Sequence, residues 1–312
     1  MSALVTVVIP AYNHADYVAE CITSVLEQDY PGIELVVIND GSTDDTDAVI
    51  RRLLGARPSA FHYIAKENEG LVKTLNLALR RSSGEYFCQV ASDDLLLPGS
   101  IAARAGFLDA HPEVDAVFAD LYVMEGTVKT TSRPFQTRVG YDSIKHNLGD
   151  LLGDRARLFF ASGMIRRSIL DRLGGFDEDF RYYEDLSLRG RLALAGRIAH
   201  LNEPVMYRRM HARNTSKIPQ WFVQEKMLAL EKILEDRDGR LGPLREEVSG
   251  YLFKEYLRYC RMALELAKDD AAWLTKAGEV LDRAAAIKPY SMKRWYYRGL
   301  WIIQTWWKTG RV

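Results

Sequence analysis

Apolar and polar positions alternate with two periods along the first half of the chain. The stretch "LVTVVIP", residues 4–10, is a continuous β-branched run that stops at a proline, as in a strand covered on both faces. Val18, Cys21, Ile22, Val25 and Leu26 then recur at helical spacing, and that helix must end before Tyr30-Pro31-Gly32. "IELVVIND", residues 33–40, is a second buried strand. It is followed by Gly41 and by Ser42-Thr43-Asp44-Asp45, which has the form of a capping box opening a helix through about Leu54. "FHYIAK", residues 61–66, predicts a third strand, and Leu71, Thr74, Leu75, Ala78 and Leu79 form another helix face. "YFCQVA", residues 86–91, and "VDAVFAD", residues 114–120, predict the fourth and fifth strands.

Repeated β-α-β units predict an α/β fold with a mainly parallel sheet flanked by helices, and such sheets bind ligands beyond the C-terminal ends of their strands. Asn39-Asp40 and Asp93-Asp94 both lie just past strand ends, so the fold can bring two acidic sites onto one rim. After Pro219 the pattern changes to long helices rich in Leu, Ala, Glu and Arg, broken near Gly239 to Pro243 and at Lys288-Pro289. The expected division is a sheet domain over 1–218 and a helical C-terminal subdomain over 219–312. No internal repeat or low-complexity linker is visible.

Hydrophobic residues make up 47% of the 312, which is ordinary for a globular core. Lys+Arg and Asp+Glu both total 42, but from Arg283 to Val312 there are seven basic residues and no acidic one. The rest of the chain is therefore net acidic, and the basic end needs its own explanation. Cys21, Cys88 and Cys260 lack metal-ligand spacing and read as buried free thiols of a reducing compartment. The apolar N-terminus has no basic region and reaches Pro10 and Asn13 too soon for a signal peptide. No run approaches the roughly 18 to 20 apolar residues of a membrane span.

Each candidate site has a plain structural reading and a chemical one. Asp40 precedes a glycine and could be a turn residue, or a strand-end carboxylate accepting hydrogen bonds from a base or ribose. Asn68-Glu69-Gly70 enters a helix bearing Lys73 and Asn76, either as a solvated helix start or as a cradle for a diphosphate. Asp93 and Asp94 could cap a helix, but adjacent like charges repel, and a hard divalent cation bound through carboxylate oxygens removes that repulsion. Glu184-Asp185 precedes Leu186, Leu188, Leu192 and Leu194, which suggest an amphipathic helix beginning just after the pair. The pair could complement that helix's dipole or supply a general base. His211 could be an ordinary loop histidine or a metal ligand.

Four segments in order, "VVIPAYNHADYVAECITSVLEQDYPGIELVVINDGSTDDT", "NEGLVKTLNLALRRSSGEYFCQVASDD", "GGFDEDFRYYEDLSLRGRLALAG" and "YRRMHARNTS", resemble the family-2 nucleotide-sugar glycosyltransferases of the GT-A fold. The resemblance covers about residues 4 to 217. It implies that Asp40 contacts the nucleotide base and that Pro10, Ala11, Tyr12 and Asn13 line the same pocket. It further implies donor contacts from Asn68, Gly70, Lys73, Asn76, Ser92 and Asp93. The implied cofactor is Mg²⁺ or Mn²⁺, held by Asp93, Asp94 and His211, with Arg208 and Arg209 as weaker diphosphate candidates. The family's Asp-X-Asp motif is altered here, since Ala91 stands where its first Asp often lies, and Asp94 is expected to take part of that role. Glu184 would orient the acceptor and Asp185 would deprotonate its attacking hydroxyl, so that one displacement inverts the anomeric carbon.

Four of the six tryptophans lie in "KPYSMKRWYYRGLWIIQTWWKTGRV", interleaved with Lys and Arg. A helix whose aromatics pack inward is one reading; attachment to an anionic membrane surface is the other. Nothing else in the chain supports nucleic-acid binding. With the resemblance, the tail suggests a cytoplasmic enzyme peripheral to the inner face of the cytoplasmic membrane. Its expected reaction moves a sugar from UDP or dTDP, such as dTDP-rhamnose, to lipopolysaccharide core or a lipid-linked glycan. Two alternatives are a sugar-phosphate nucleotidyltransferase, for which "PAYNHAD" lacks the Gly-rich basic loop, and a non-catalytic scaffold of the same fold, which Ala91 would permit.

Overall fold

The computed structural model describes residues 2–130, 159–181, 184–212, 214, 219–235 and 239–309. They divide into two compact units, Met1–Asn214 and Thr215–Val312. The boundary at 218/219 read from the sequence adjoins residues 215–218, which lie outside the described residues.

The first unit is built on one sheet with strand order β3-β2-β1-β4-β8-β6-β9-β5. Its parallel half is the one the β-α-β alternation predicts: β1 (Val5–Ala11), β2 (Ile33–Asp40), β3 (His62–Lys66) and β4 (Tyr86–Gln89). Between them run α1 (Val18–Leu26), α2 (Thr46–Ala56) and α3 (Leu71–Arg81). Val5, Val7 and Ile9 are buried on the face where α1 presents Val18, Cys21, Ile22 and Val25, and Val8 is buried on the other face of β1, with α3 also packed against the strand.

Beyond β4 the sheet is mixed. The short β5 (Leu95–Leu96) leads into α4 (Ser100–Ala110), followed by β6 (Ala116–Glu125) and β7 (Val128–Lys129). β8 (Met164–Arg166) enters antiparallel between β4 and β6, and α5 (Arg167–Arg172) and α6 (Glu184–Ala195) follow it. The long β9 (Ile198–Met210) runs parallel to β6 and antiparallel to β5, with Leu95 opposite Tyr207. Two elements differ from the sequence pattern. Ser42 does not cap α2: its hydroxyl accepts the Asn13 N–H, while Asp44 Oδ1 accepts the Thr46 N–H at 3.0 Å. α6 begins with Glu184 itself and is buried nearly all round, Arg189 and Ser187 included, because it is an interior helix rather than an amphipathic one.

Among the described residues the second unit contains the α-helices α7 (Pro219–Leu234), α8 (Arg245–Leu266), α9 (Ala272–Ile287) and α10 (Met292–Thr309). Leu230, Val248, Leu252, Cys260, Ala263, Ala277 and Leu281 fill its core, and Lys226 pairs with Glu255 at 3.1 Å. α10 is anchored by the Trp301 indole N–H, which donates to the Leu274 carbonyl at 2.7 Å. Cys21, Cys88 and Cys260 are buried free thiols.

One side chain fastens β9 to the strand-end loops. The Arg209 guanidinium is 2% exposed; it donates to the Asp93 carbonyl at 2.8 Å, to the Gly126 carbonyl, and to Glu20 Oε2 at 2.6 Å, and lies 5.0 Å above the Tyr17 ring. Lysine has the charge but not the fork. Arg209→Lys is expected to cost about 2–4 kcal/mol, because buried carbonyls and a buried charge lose their partners. Urea denaturation checks this, and a loss below about 0.5 kcal/mol would show that the clamp is dispensable.

Candidate functional site

The parallel register puts the loops after β1, β2 and β4 on one edge. Ala11 lies opposite Asn39, Asp40 opposite Lys66, and Val90 donates its N–H to the Val8 carbonyl at 2.9 Å just before Ser92-Asp93. Pro10 and Ala11 finish β1, and Tyr12 follows with 47% of its surface exposed. Asn13 adopts a left-handed conformation (φ 53) that aims its Oδ1 at the Thr43 N–H, at 2.8 Å. Asn39 Oδ1 accepts the Ser42 N–H at 3.0 Å within the loop after β2, and the bonds of Asn13 to Ser42 and Thr43 tie that loop to the one after β1.

Asp40 is 5% exposed. Its Oδ1 accepts from Lys66 Nζ and from the Glu69 N–H at 3.0 Å, and its Oδ2 accepts the Gly70 N–H at 2.9 Å. Asp40 therefore pins the Asn68–Gly70 segment, where Gly70 sits at φ 91, an angle that disfavours any side chain. A carboxylate oxygen can accept two bonds, so Oδ2 keeps capacity for a further donor.

Asp93 and Asp94 have separate fates. Asp94 is 2% exposed, and its Oδ1 accepts the Arg209 backbone N–H at 2.8 Å. Burial, and next the adjacent Asp93 charge, hold its carboxyl well above the usual range. Asp93 Oδ2 instead lies 2.9 Å from His211 Nε2 and 3.3 Å from Asn214 Nδ2. The β5–β9 pairing causes this, because it carries the end of β9 back alongside Asp93. His14 completes the group: it, Asp93 and His211 each offer a ligand atom, and these atoms lie within 4.8 Å of one another. Asp94 is not in that group. Ser92, 2% exposed, places its hydroxyl 2.7 Å from His14 Nδ1, and Tyr17 stacks on His211 with ring centroids 5.0 Å apart. Beneath this rim the Cys21 thiol is pushed far up in pKa, by burial first and then by Asp94 and Asp93, so it stays protonated and inert.

The other expected residues fall in different surroundings. Lys73 is half exposed, 3.9 Å from Glu69. Asn76 is buried and spent on another loop: its Nδ2 donates to the Phe176 carbonyl at 2.9 Å and to Glu178 at 3.1 Å, and its Oδ1 accepts the Phe176 N–H at 2.9 Å. Its amide groups thus serve packing against the Gly175 turn, not the strand rim. Glu184 is 6% exposed in the first turn of α6, and beside it Asp185 Oδ2 is held by Arg189 at 3.0 Å with a quarter of the side chain open to solvent. Arg208 lies over the Phe159 ring, whereas Arg209 is the inward clamp.

His14, Tyr17 and Asn214 were not singled out by the sequence pattern. A signal for His14 existed: it lies three residues past the end of β1, the same rim position that marks Asp40 and Asp93. Two imidazoles and a carboxylate within 4.8 Å suit a divalent cation, and the His211–Asp93 hydrogen bond shows both groups already turned to one point. The residues present therefore fit the implied Mg²⁺ or Mn²⁺.

Comparison with known proteins bears on the family and the fold. The chain is 28% identical over 218 residues to an uncharacterised glycosyltransferase of Rickettsia prowazekii, which covers 69% of this chain and 66% of that protein. It is 31% identical over 224 residues to the hyaluronan synthase of Pasteurella multocida, over 72% of this chain. The match spans just under two thirds of the Rickettsia protein and 22% of the synthase. Among solved structures, S. aureus TarS 1-349 in complex with UDP-GlcNAc superposes with TM-score 0.71 at 19% identity, covering 99% of this chain and 92% of that one. Mannosyltransferase PcManGT from Pyrobaculum calidifontis, in complex with GDP-Man and Mn²⁺, does so with TM-score 0.62 at 23% identity, covering 99% and 88%. These likenesses show the GT-A fold. The sequence model of glycosyl transferase family 2 matches residues 6–174, more than half of the chain, and the chain belongs to that family.

Proposed function

We propose that the protein transfers a sugar, with inversion, from a UDP- or dTDP-sugar such as dTDP-rhamnose to a hydroxyl of lipopolysaccharide core or a lipid-linked glycan. The observation that carries this reading is the single rim on which Asp40 ends β2 while Asp93 and His211 meet at 2.9 Å beyond β4. Asp40 Oδ2 accepts the N3–H of a pyrimidine, with Tyr12 offering a ring against the base. Lys73, half exposed one turn into α3, reaches for the diphosphate near the helix N-terminus. Asp93 and His211 would hold the divalent ion, which would offset charge on the leaving diphosphate.

Asp185 takes the proton of the attacking hydroxyl. Its carboxylate is oriented by Arg189 from the next turn and is accessible enough to meet an acceptor, and Glu184, beside it in the first turn of α6, orients that acceptor. Direct displacement needs only this one base. Asp185→Asn keeps shape and removes basicity, so kcat is expected to fall by about 10²–10⁴ while calorimetric affinity for the nucleotide sugar stays within about twofold. Full transfer activity in that variant would remove Asp185 from the mechanism.

Membrane attachment through α10 is part of the same reading. Among the described residues no helix is long and apolar enough to cross a bilayer. α10 instead turns an aromatic face outward: Met292, Trp295, Tyr296, Ile303, Trp306 and Trp307 recur at helical spacing with 56–87% of their surface exposed. Lys293, Arg298 and Lys308 lie on the same helix, which carries no acidic residue. An interfacial helix of this kind lies in the headgroup plane of an anionic membrane and brings a lipid-borne acceptor near the enzyme. The protein should co-sediment with vesicles containing phosphatidylglycerol and much less with pure phosphatidylcholine, and Trp306→Ser/Trp307→Ser should weaken the former at least about tenfold. Equal recovery with and without vesicles would refute the attachment.

A further inference from the structure

The sequence offers Asp93-Asp94 as the acidic pair for a cation, yet the structure leaves only one of them for that work. Asp94 is buried and already accepts the Arg209 N–H, and Ala91 supplies no carboxylate. The further ligand atom that comes close to Asp93 and His211 belongs to His14. Its place is set from four directions. Its backbone N–H donates to Thr46 Oγ1 at 2.9 Å, and its carbonyl accepts the N–H groups of Tyr17 at 3.0 Å and Val18 at 2.9 Å, which start α1. Its ring stands edge-on to Tyr17 and to His211, each with centroids 5.9 Å away. Its Nδ1 lies 2.7 Å from the buried Ser92 hydroxyl.

That last contact has the geometry that fixes a ligating histidine: one ring nitrogen donates to a neighbouring oxygen and the other is presented to the metal. In the tautomer that donates Nδ1–H to Ser92 Oγ, Nε2 would be the ligating atom. Ligands on one ion, each about 2.1 Å from it, can stand at most about 4.2 Å apart. The 4.8 Å span of His14, Asp93 and His211 therefore needs only a small contraction.

Resting on the metal-assisted donor reading above, we infer that His14 is the third protein ligand of the cation, and that it makes the site selective for Mn²⁺ over Mg²⁺. Two imidazoles and one carboxylate form a donor set that suits first-row transition ions, whereas Mg²⁺ takes oxygen ligands and keeps its waters. His14 thus stands in for the carboxylate that Ala91 removes, with a different choice of metal as the result.

The test is binding of Mn²⁺ alone, followed by electron paramagnetic resonance, with Mg²⁺ as competitor, on the full chain with and without UDP. Mn²⁺ should bind at least about tenfold more tightly than Mg²⁺. His14→Ala should lose about tenfold or more in Mn²⁺ affinity with Mg²⁺ affinity little changed. His14→Asp, a harder ligand at the same place, should narrow or reverse the preference, and it serves as the test if the alanine variant melts early. Equal binding of both ions by the wild type, or unchanged Mn²⁺ binding and preference in the folded variants, would overturn the inference while leaving the transferase reading intact. Failure of UDP to bind with either ion would instead strike the donor reading itself.

Discussion

A buried guanidinium holds the candidate site together. Arg209 contacts the Asp93 carbonyl, the turn at Gly126, Glu20 on α1 and the face of Tyr17, while its own backbone N–H is bound by Asp94. Three segments distant in sequence, one holding Tyr17 and Glu20, one Asp93 and Asp94, and one Gly126, are thereby fixed to β9 by this one residue. The strand-end loop carrying Asp93 cannot shift without breaking bonds to β9, and His211, two residues beyond Arg209, is delivered to Asp93 by the same constraint. Buried charge is costly unless every donor is used, so this arrangement is sensitive to any loss of a partner.

The adjacent carboxylates show how one sequence feature can carry two jobs. Asp94 turns into the protein and orders β9, at the cost of a charge that burial and Asp93 disfavour. Asp93 turns to the rim and meets imidazole. A cation bound there would lower the repulsion between the two, which would link metal affinity to local stability. Asp40 behaves similarly at the end of β2: it holds Lys66 and two backbone N–H groups, and so organises the loop that leads to Lys73 before any donor arrives.

Much of the parallel half was legible because buried parallel strands read as continuous β-branched runs and their covering helices as 3.6-period stripes. "LVTVVIP" and "IELVVIND" are such runs, and the rim position of Asp40 and Asp93 follows from strand ends alone. The rest depended on pairing that no local pattern encodes. β5 is two residues long and hides in "DDLLLPGS", β8 is three, and β9 contains Asn202, Glu203 and Pro204, which break any strand period. Since the β5–β9 register is what carries His211 to Asp93, spacing alone could not show that His14 and His211 meet there, although each lay at a position the sequence could mark. Asn76, which the resemblance offers as a donor contact, lies on the face of α3 packed against Phe176, and a helical pattern alone does not show which loop that face meets.

The central claim is that the strand rim binds a cation and a nucleoside diphosphate together. It is tested most directly by a crystal structure of the protein grown with UDP and Mn²⁺, with data collected at the manganese absorption edge. The account predicts one anomalous peak at bonding distance from Asp93, His211 and His14, bridged to the diphosphate, with the uracil against Asp40. An ordered UDP on this rim with no peak at Asp93, or manganese bound elsewhere with the rim empty, would contradict it.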